Sequence, residues 1–207
     1  MKKAAHLDIA ADRRRPGGDV RALPAGEGVS DASLVERARA GDRWAEEVIY
    51  RRYVGTIAGL AVRLLRSRSE MEDVVQETFA IALERLGSLR DGNALRGWLA
   101  QIAVGQVRRR FRRRRLLALL GLDRTEEDAP FESLAAEGIT AEEAAELGAI
   151  DALLTTLPVE QRIAWVLRHV EGESLEDVAR ACSCSLATAK RRIAAAEARV
   201  NIHVRPT

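Results

Sequence analysis

Asp73-Val74-Val75-Gln76-Glu77-Thr78-Phe79 is the stretch on which the reading of this 207-residue chain turns. At the ~100° per residue of an α-helix, Met71, Val75, Thr78, Phe79, Ala82 and Leu86 share one stripe, while Asp73, Gln76, Glu77, Ala80 and Glu84 lie opposite. The segment is therefore one amphipathic helix. Ser69 is expected to cap its first turn, and Glu72, three residues on, to complete a capping box. From periodicity alone the polar face reads as solvated surface as readily as binding surface. Val74 and Ile81 favour the second, because they flank the polar face and point away from the core stripe, and a mixed apolar and acidic surface suits a partner.

Outward from this helix, composition sets the class. Hydrophobic residues make up 47%, aromatic residues only 4% and charged residues 31%, which reads as a soluble all-α chain of two small helical domains. No run approaches the ~18 apolar residues of a membrane span, and the N-terminus lacks a signal-peptide core, so a cytoplasmic protein without membrane insertion is expected. The net charge of +2 conceals segregation. Residues 31–115 hold 18 Arg against 11 Asp and Glu, a balance of +7, whereas residues 116–150 hold 1 against 9, a balance of −8. The chain thus divides into an extension (1–29) expected to be disordered, a basic domain (30–115), an acidic flexible linker (116–147) with short helices expected at 115–120 and from Thr140, and a near-neutral domain (148–204).

In the basic domain, Asp31 is expected to cap a short helix to Ala40, and Gly41-Asp42 to stop it and cap the next, which runs to about Arg66. Trp44, Tyr50 and Tyr53 read as packing residues. A further helix from about Ala94 has Leu95, Trp98, Leu99, Ile102, Ala103 and Gln106 on its core face, yet the same face continues onto Arg109 and Arg113. Residues 108–115 contain seven arginines and Phe111, expected to project charge in every direction. Such a run solvates a surface or neutralises phosphates along DNA. Gly105, inside this helix, weakens it by about 1 kcal/mol against Ala and is expected to permit a kink or close packing.

Leu157-Pro158 opens a helix of the last domain carrying Ile163, Val166, Leu167 and Val170, closed by Glu171-Gly172. Ser174 caps the next, with Asp177 three residues later and Leu175, Val178 and Ala179 inward; Cys182-Ser183-Cys184 turns the chain, and Ser185 caps the last helix. This is a helix-turn-helix, whose second helix enters the major groove. Leu186, Ala189, Ile193, Ala196 and Val200 should face the core, leaving Thr188, Lys190, Arg191 and Arg192 for DNA. Cys182 reads as a small buried apolar residue, with metal binding alongside His169 the weaker alternative. Scattered histidines, with no phosphate loop, nucleophile triad or metal cluster, argue against an enzyme, and no cofactor or metal is implied.

The string DVVQETF, followed by Arg96-Gly97-Trp98-Leu99 and the arginine-rich helix end, closely resembles region 2 of the extracytoplasmic-function (ECF) sigma factors, small members of the sigma-70 family. The pattern LPxxxRxxxxLRxxEG beginning at Leu157 resembles sigma region 4. The resemblance implies a region 2 bundle and a region 4 helix-turn-helix that together direct core RNA polymerase to promoter DNA. It assigns polymerase binding to Asp73, Val74, Gln76, Glu77 and Ala80. Minus-10 contacts fall to Arg90, Asp91, Asn93, Arg96, Arg108, Arg109, Arg110 and Arg112, and minus-35 contacts to Thr188, Lys190, Arg191 and Arg192. An anti-sigma factor is the regulator it leads one to expect. Five positions depart from the family pattern: Gly105 and Arg109 stand where relatives often carry Asn and Asp, Ser183 replaces a turn glycine, and Ala194 and Ala195 stand where relatives often carry larger contacting side chains. The competing reading is a free-standing dimeric helix-turn-helix regulator, which would leave DVVQETF without a purpose.

Overall fold

A computed structural model describes residues 28–122 and 152–204, with side chains through Val200. Nearly all of the N-terminal extension and of the acidic segment, including a helix expected from Thr140, lies outside these residues.

Every regular element among the described residues is helical. The first half holds α1 (Asp31–Arg39), α2 (Arg43–Leu65), α3 (Arg68–Arg85) and α4 (Leu95–Leu119), with two 3-10 turns between α3 and α4. The second half holds α5 (Val159–His169), α6 (Leu175–Ala181) and α7 (Leu186–Val204). In the first bundle α2 packs on α1, α3 and α4, and α3 also lies on α4. In the second, α7 closes over α5 and α6. Leu34, Ile57, Leu64, Leu95 and Leu99 are fully buried in the first core, Ile163, Leu167 and Ala189 in the second. Truncating one such leucine to alanine is worth about 2–5 kcal/mol.

The helix starts differ from expectation at two places. Ser30, not Asp31, caps α1, its hydroxyl accepting from the Ser33 amide. Asp31 instead takes Arg52 at 2.6 Å and the Tyr53 hydroxyl, fastening α1 to α2. Ser67, not Ser69, caps α3, accepting from the Glu70 amide at 3.2 Å. Both serines begin an S-x-x-E box, so local sequence does not choose between them. The chain leaves α2 through Arg66 in the left-handed region (φ 54°), and the next extended residue is Ser67. Asp42 caps α2 as expected.

The helix α4 runs without a break to Leu119, through the arginines and past the start of the acidic stretch, where a separate short helix was expected. Gly105 is exposed, and a Cβ added there would meet nothing within 4 Å, so no close packing calls for it. Gly92 does have such a reason: a Cβ there would fall 2.5 Å from the Ala32 Cα. That contact presses the loop before α4 against α1.

The two halves also touch. α4 packs against α6, and α2 against α5. Arg162 of α5 is buried and donates to the Leu64 carbonyl at 3.2 Å and the Thr155 carbonyl at 2.6 Å, with its guanidinium 5.5 Å from the Phe111 ring. No described helix is long and apolar enough to cross a membrane.

Candidate polymerase and promoter interfaces

On α3 the predicted stripe is inside: Val75, Thr78, Phe79, Ala82 and Leu86 are buried, and Met71 packs at the edge. Opposite, Asp73, Gln76, Ala80 and Glu84 are exposed and Glu77 is half-buried. Val74 contradicts its assignment to the outer face, being 0% exposed. α3 is wedged between α2 and α4, so its buried arc is wider than the single stripe that periodicity marks. The acidic face is also not bare, because Arg110 of α4 reaches Glu77 at 2.9 Å and Asp73 at 3.5 Å.

The arginines of α4 do not radiate evenly. Arg108 forks onto Glu160 of α5 at 2.8 and 2.5 Å and donates to the Cys182 carbonyl at 2.9 Å. Burial is the largest influence and opposes its charge. The hydrogen bond and the negative charge of Glu160, with smaller contributions from Cys182 and Cys184, together outweigh it and the pKa is raised. Arg110 holds Asp73 and Glu77; Arg114 holds Glu70 at 3.1 and 2.5 Å and the Leu65 carbonyl at 3.2 Å. Three of the seven are thus fasteners between helices, with Arg108 and Arg110 among those expected on DNA. The run has carboxylate partners 33 to 52 residues away, which no local pattern reveals. Arg109, Arg112, Arg113 and Arg115 remain exposed.

In the loop ahead of α4, Arg90, Asp91 and Asn93 are exposed. Asp91 accepts from the Asn93 amide at 2.9 Å and its side-chain nitrogen at 3.1 Å, which orders the turn. Arg96 is turned toward the other half, where it meets Glu173 at 3.0 Å and the Glu171 carbonyl at 2.6 Å. Burial pushes the Glu173 carboxyl upward, and Arg96 opposes that shift.

The helix-turn-helix forms as read. Ser174 accepts from the Asp177 amide at 3.1 Å, and its hydroxyl together with Arg180 holds the Asp177 carboxyl below its usual range despite partial burial. Ser183 sits in the left-handed region (φ 48°), the conformation that favours glycine. Ser185 accepts from the Thr188 amide at 3.2 Å, and the Ser185 and Thr188 hydroxyls are 2.9 Å apart. Ala189, Ile193, Ala196 and Val200 are buried, but Leu186 is exposed at the first turn and Val170 lies exposed beyond the end of α5, contrary to expectation. Lys190 and Arg191 are exposed. Arg192 is not left facing outward: it pairs with Glu160 at 2.9 Å. Burial pushes the Cys182 thiol up to about 11, while His169 pairs with Glu197 at 2.9 Å and tilts over Trp165.

Glu160 therefore holds one arginine from each half, Arg108 of α4 and Arg192 of α7. Arg63 with Glu171 at 3.4 Å adds another pair between the halves. Sequence reasoning missed Glu160, Glu171, Glu173, Arg63 and Arg162. The only signal was weak: Glu171 and Glu173 bracket a turn glycine, and Arg162 falls on the apolar side of α5.

Comparison with known proteins identifies both halves. Residues 49–116 match Sigma-70 region 2, and residues 147–200 match Sigma-70, region 4. The chain is 33% identical over 185 residues to the RNA polymerase sigma-H factor of Pseudomonas aeruginosa, covering 85% of this chain and 94% of the relative. The ECF RNA polymerase sigma-E factor of Haemophilus influenzae is 30% identical, with 87% and 98% covered. Among solved structures, the sigma factor RpoE with the anti-sigma factor NepR from Bartonella quintana aligns with a TM-score of 0.59 at 24% identity, covering 73% of this chain and 91% of that one. CnrH with the cytosolic domain of CnrY aligns with a TM-score of 0.61 at 23% identity, covering 83% and 95%. With both regions matched and full-length relatives at this level of identity, the chain belongs to the sigma-70 family, among its ECF sigma factors.

Proposed function

We propose that this sigma factor, which directs RNA polymerase to promoters and is not itself an enzyme, meets core polymerase through the outward face of α3. Asp73, Gln76, Glu77 and Ala80 carry that contact. Val74 supports the face from beneath rather than touching the partner. The exposed loop residues Arg90, Asp91 and Asn93, with Arg109 and Arg112 of α4, take the minus-10 element; Lys190 and Arg191, with Thr188, take the minus-35 element. The observation that carries this reading is the coincidence, in family-matched regions, of an exposed acidic helix face with two separate exposed basic surfaces. Cytoplasmic location follows from such a role.

The arrangement of the halves adds a condition. Arg108 and Arg192 grip the same carboxylate, whereas minus-10 and minus-35 elements lie about two helical turns apart, or ~70 Å. The interface between the halves must therefore part before both elements are read, which would free Arg96, Arg108 and Arg192 for phosphates. The relative from Bartonella quintana is seen with an anti-sigma factor, and a partner of that kind that keeps the halves together is the regulator we propose.

The direct test is transcription in vitro with purified core polymerase and genomic DNA. Promoter-specific initiation is expected, lost on Asp73→Ala with Glu77→Ala through weakened core binding, and misdirected on replacing Lys190 and Arg191. Absence of initiation together with dimeric binding to a palindromic duplex would instead establish a free-standing regulator.

A further inference from the structure

Arg110 stands between the acidic face of α3 and the basic helix α4, and neither surface has absorbed it. Its side chain is only 11% exposed and is turned toward α3 rather than outward. A single atom, Nη2, reaches across, 2.9 Å from Glu77 Oε1 and 3.5 Å from Asp73 Oδ2. Those two carboxylates lie one helical turn apart, at i and i+4, where like charges repel. The contact still leaves them presented, with the Asp73 side chain 59% exposed and that of Glu77 37%. It is also single-pronged. Arg108 and Arg114 each fork onto a glutamate through two hydrogen bonds, whereas Arg110 makes one to Glu77. Among the described residues, its buried Nε and the buried Glu77 Oε2 have no hydrogen-bond partner. A fork onto either carboxylate would spend the guanidinium there and leave the other loose; one nitrogen between two carboxylates fixes where both stand.

We propose that Arg110 is a positioning residue of the polymerase contact, clasping Asp73 and Glu77 in the arrangement that a basic surface of core polymerase takes. A surface carboxylate left free must be ordered when its partner arrives, and ordering it beforehand removes part of that cost. The partner surface is basic because Asp73, Glu77 and the exposed Glu84 outnumber the one guanidinium on this face. Arg110 acts through the two carboxylates and does not touch polymerase itself. That Asp73 and Glu77 meet polymerase is the function proposed above, on which this inference rests; the clasp does not depend on it. The same geometry decides which replacement survives. Lysine brings one nitrogen on a comparable stem, enough for a single-pronged clasp though not for the forks of Arg108 and Arg114.

The test measures association and dissociation of the full chain, fluorescently labelled at its N-terminus, with purified core polymerase, and follows the folding of each variant by urea unfolding. Arg110→Met keeps the stem and removes the clasp. Dissociation should quicken about tenfold while association does not slow, because loosened carboxylates cost residence time and not steering. Arg110→Lys should bring dissociation back to within about threefold of the parent chain. A chain carrying Asp73→Asn and Glu77→Gln should bind core weakly, and adding Arg110→Met to it should bring no further loss, since nothing is left to position. A merely structural arginine would instead cost the same in both backgrounds. That result, an unchanged dissociation rate in Arg110→Met, or a loss that Arg110→Lys fails to recover would overturn the positioning role. So would tighter binding by Arg110→Met, which would make Arg110 a competitor for the carboxylates. Unchanged core affinity in the chain with Asp73→Asn and Glu77→Gln would overturn the polymerase face itself, and this inference with it.

Discussion

The two basic helices, α4 and α7, use the same chemistry for opposite ends. On α4, Arg108, Arg110 and Arg114 reach inward to carboxylates of α5 and α3, and the arginines between them face water. On α7, Lys190 and Arg191 stand exposed at the start of the helix, while the next residue, Arg192, is engaged with Glu160. A charge run is thus a structural element where its register meets carboxylates of a neighbouring helix and a recognition surface where it does not. The same residue type four positions along can belong to either class.

The sharpest break of this comparison sets Arg110→Ala against Arg112→Ala. The first removes a buried guanidinium from between Asp73 and Glu77 and should destabilise the chain by about 2 kcal/mol in urea unfolding. The second should stay within about 0.5 kcal/mol while weakening DNA binding. Equal losses would erase the distinction between fastener and surface arginine. Next in size, Glu160→Gln removes the carboxylate shared by α4 and α7, and should raise the radius of gyration in X-ray scattering and tighten promoter DNA about fivefold. An unchanged radius would mean that Arg63, Arg96 and Arg162 suffice to hold the halves together. Gly105→Ala should stabilise α4 by about 1 kcal/mol, because the added methyl meets open space. Smallest, Ser183→Gly relaxes a left-handed residue in the turn before α7 and should gain about 0.5–1 kcal/mol by thermal unfolding without altering promoter choice.

Much of the fold was legible because its causes are local. The α3 stripe, the Asp42 and Ser174 caps, and the inward face of Ala189, Ile193, Ala196 and Val200 follow from helical period and side-chain oxygens near free amides. Where two local signals tied, as with Ser67 and Ser69, the outcome depended on where the preceding helix released the chain. Val74 escaped because a helix with neighbours on two sides buries more than one stripe. The arginines escaped for a deeper reason: which of them is spent inside depends on carboxylates that only the tertiary fold brings near, and sequence spacing carries no trace of Glu160 beside Arg108. Of the residues the family resemblance marks, Asp73, Gln76, Ala80, Lys190 and Arg191 are exposed, whereas Arg96, Arg108, Arg110 and Arg192 are engaged within the chain.

The carboxylate shared by Arg108 and Arg192 also bears on how the chain should respond to ions. A guanidinium held by Glu160 must leave that partner before it takes a phosphate, so part of the usual release of counterions is matched by loss of an internal pair that salt weakens as well. Raising the ionic strength then loosens the closed chain and the DNA complex together. The slope of log affinity against log salt should be shallower than the number of phosphate-contacting arginines implies, and Glu160→Gln should restore the steeper line. A promoter-reading protein built this way would hold its grip over a wider range of cellular salt than its charge alone allows.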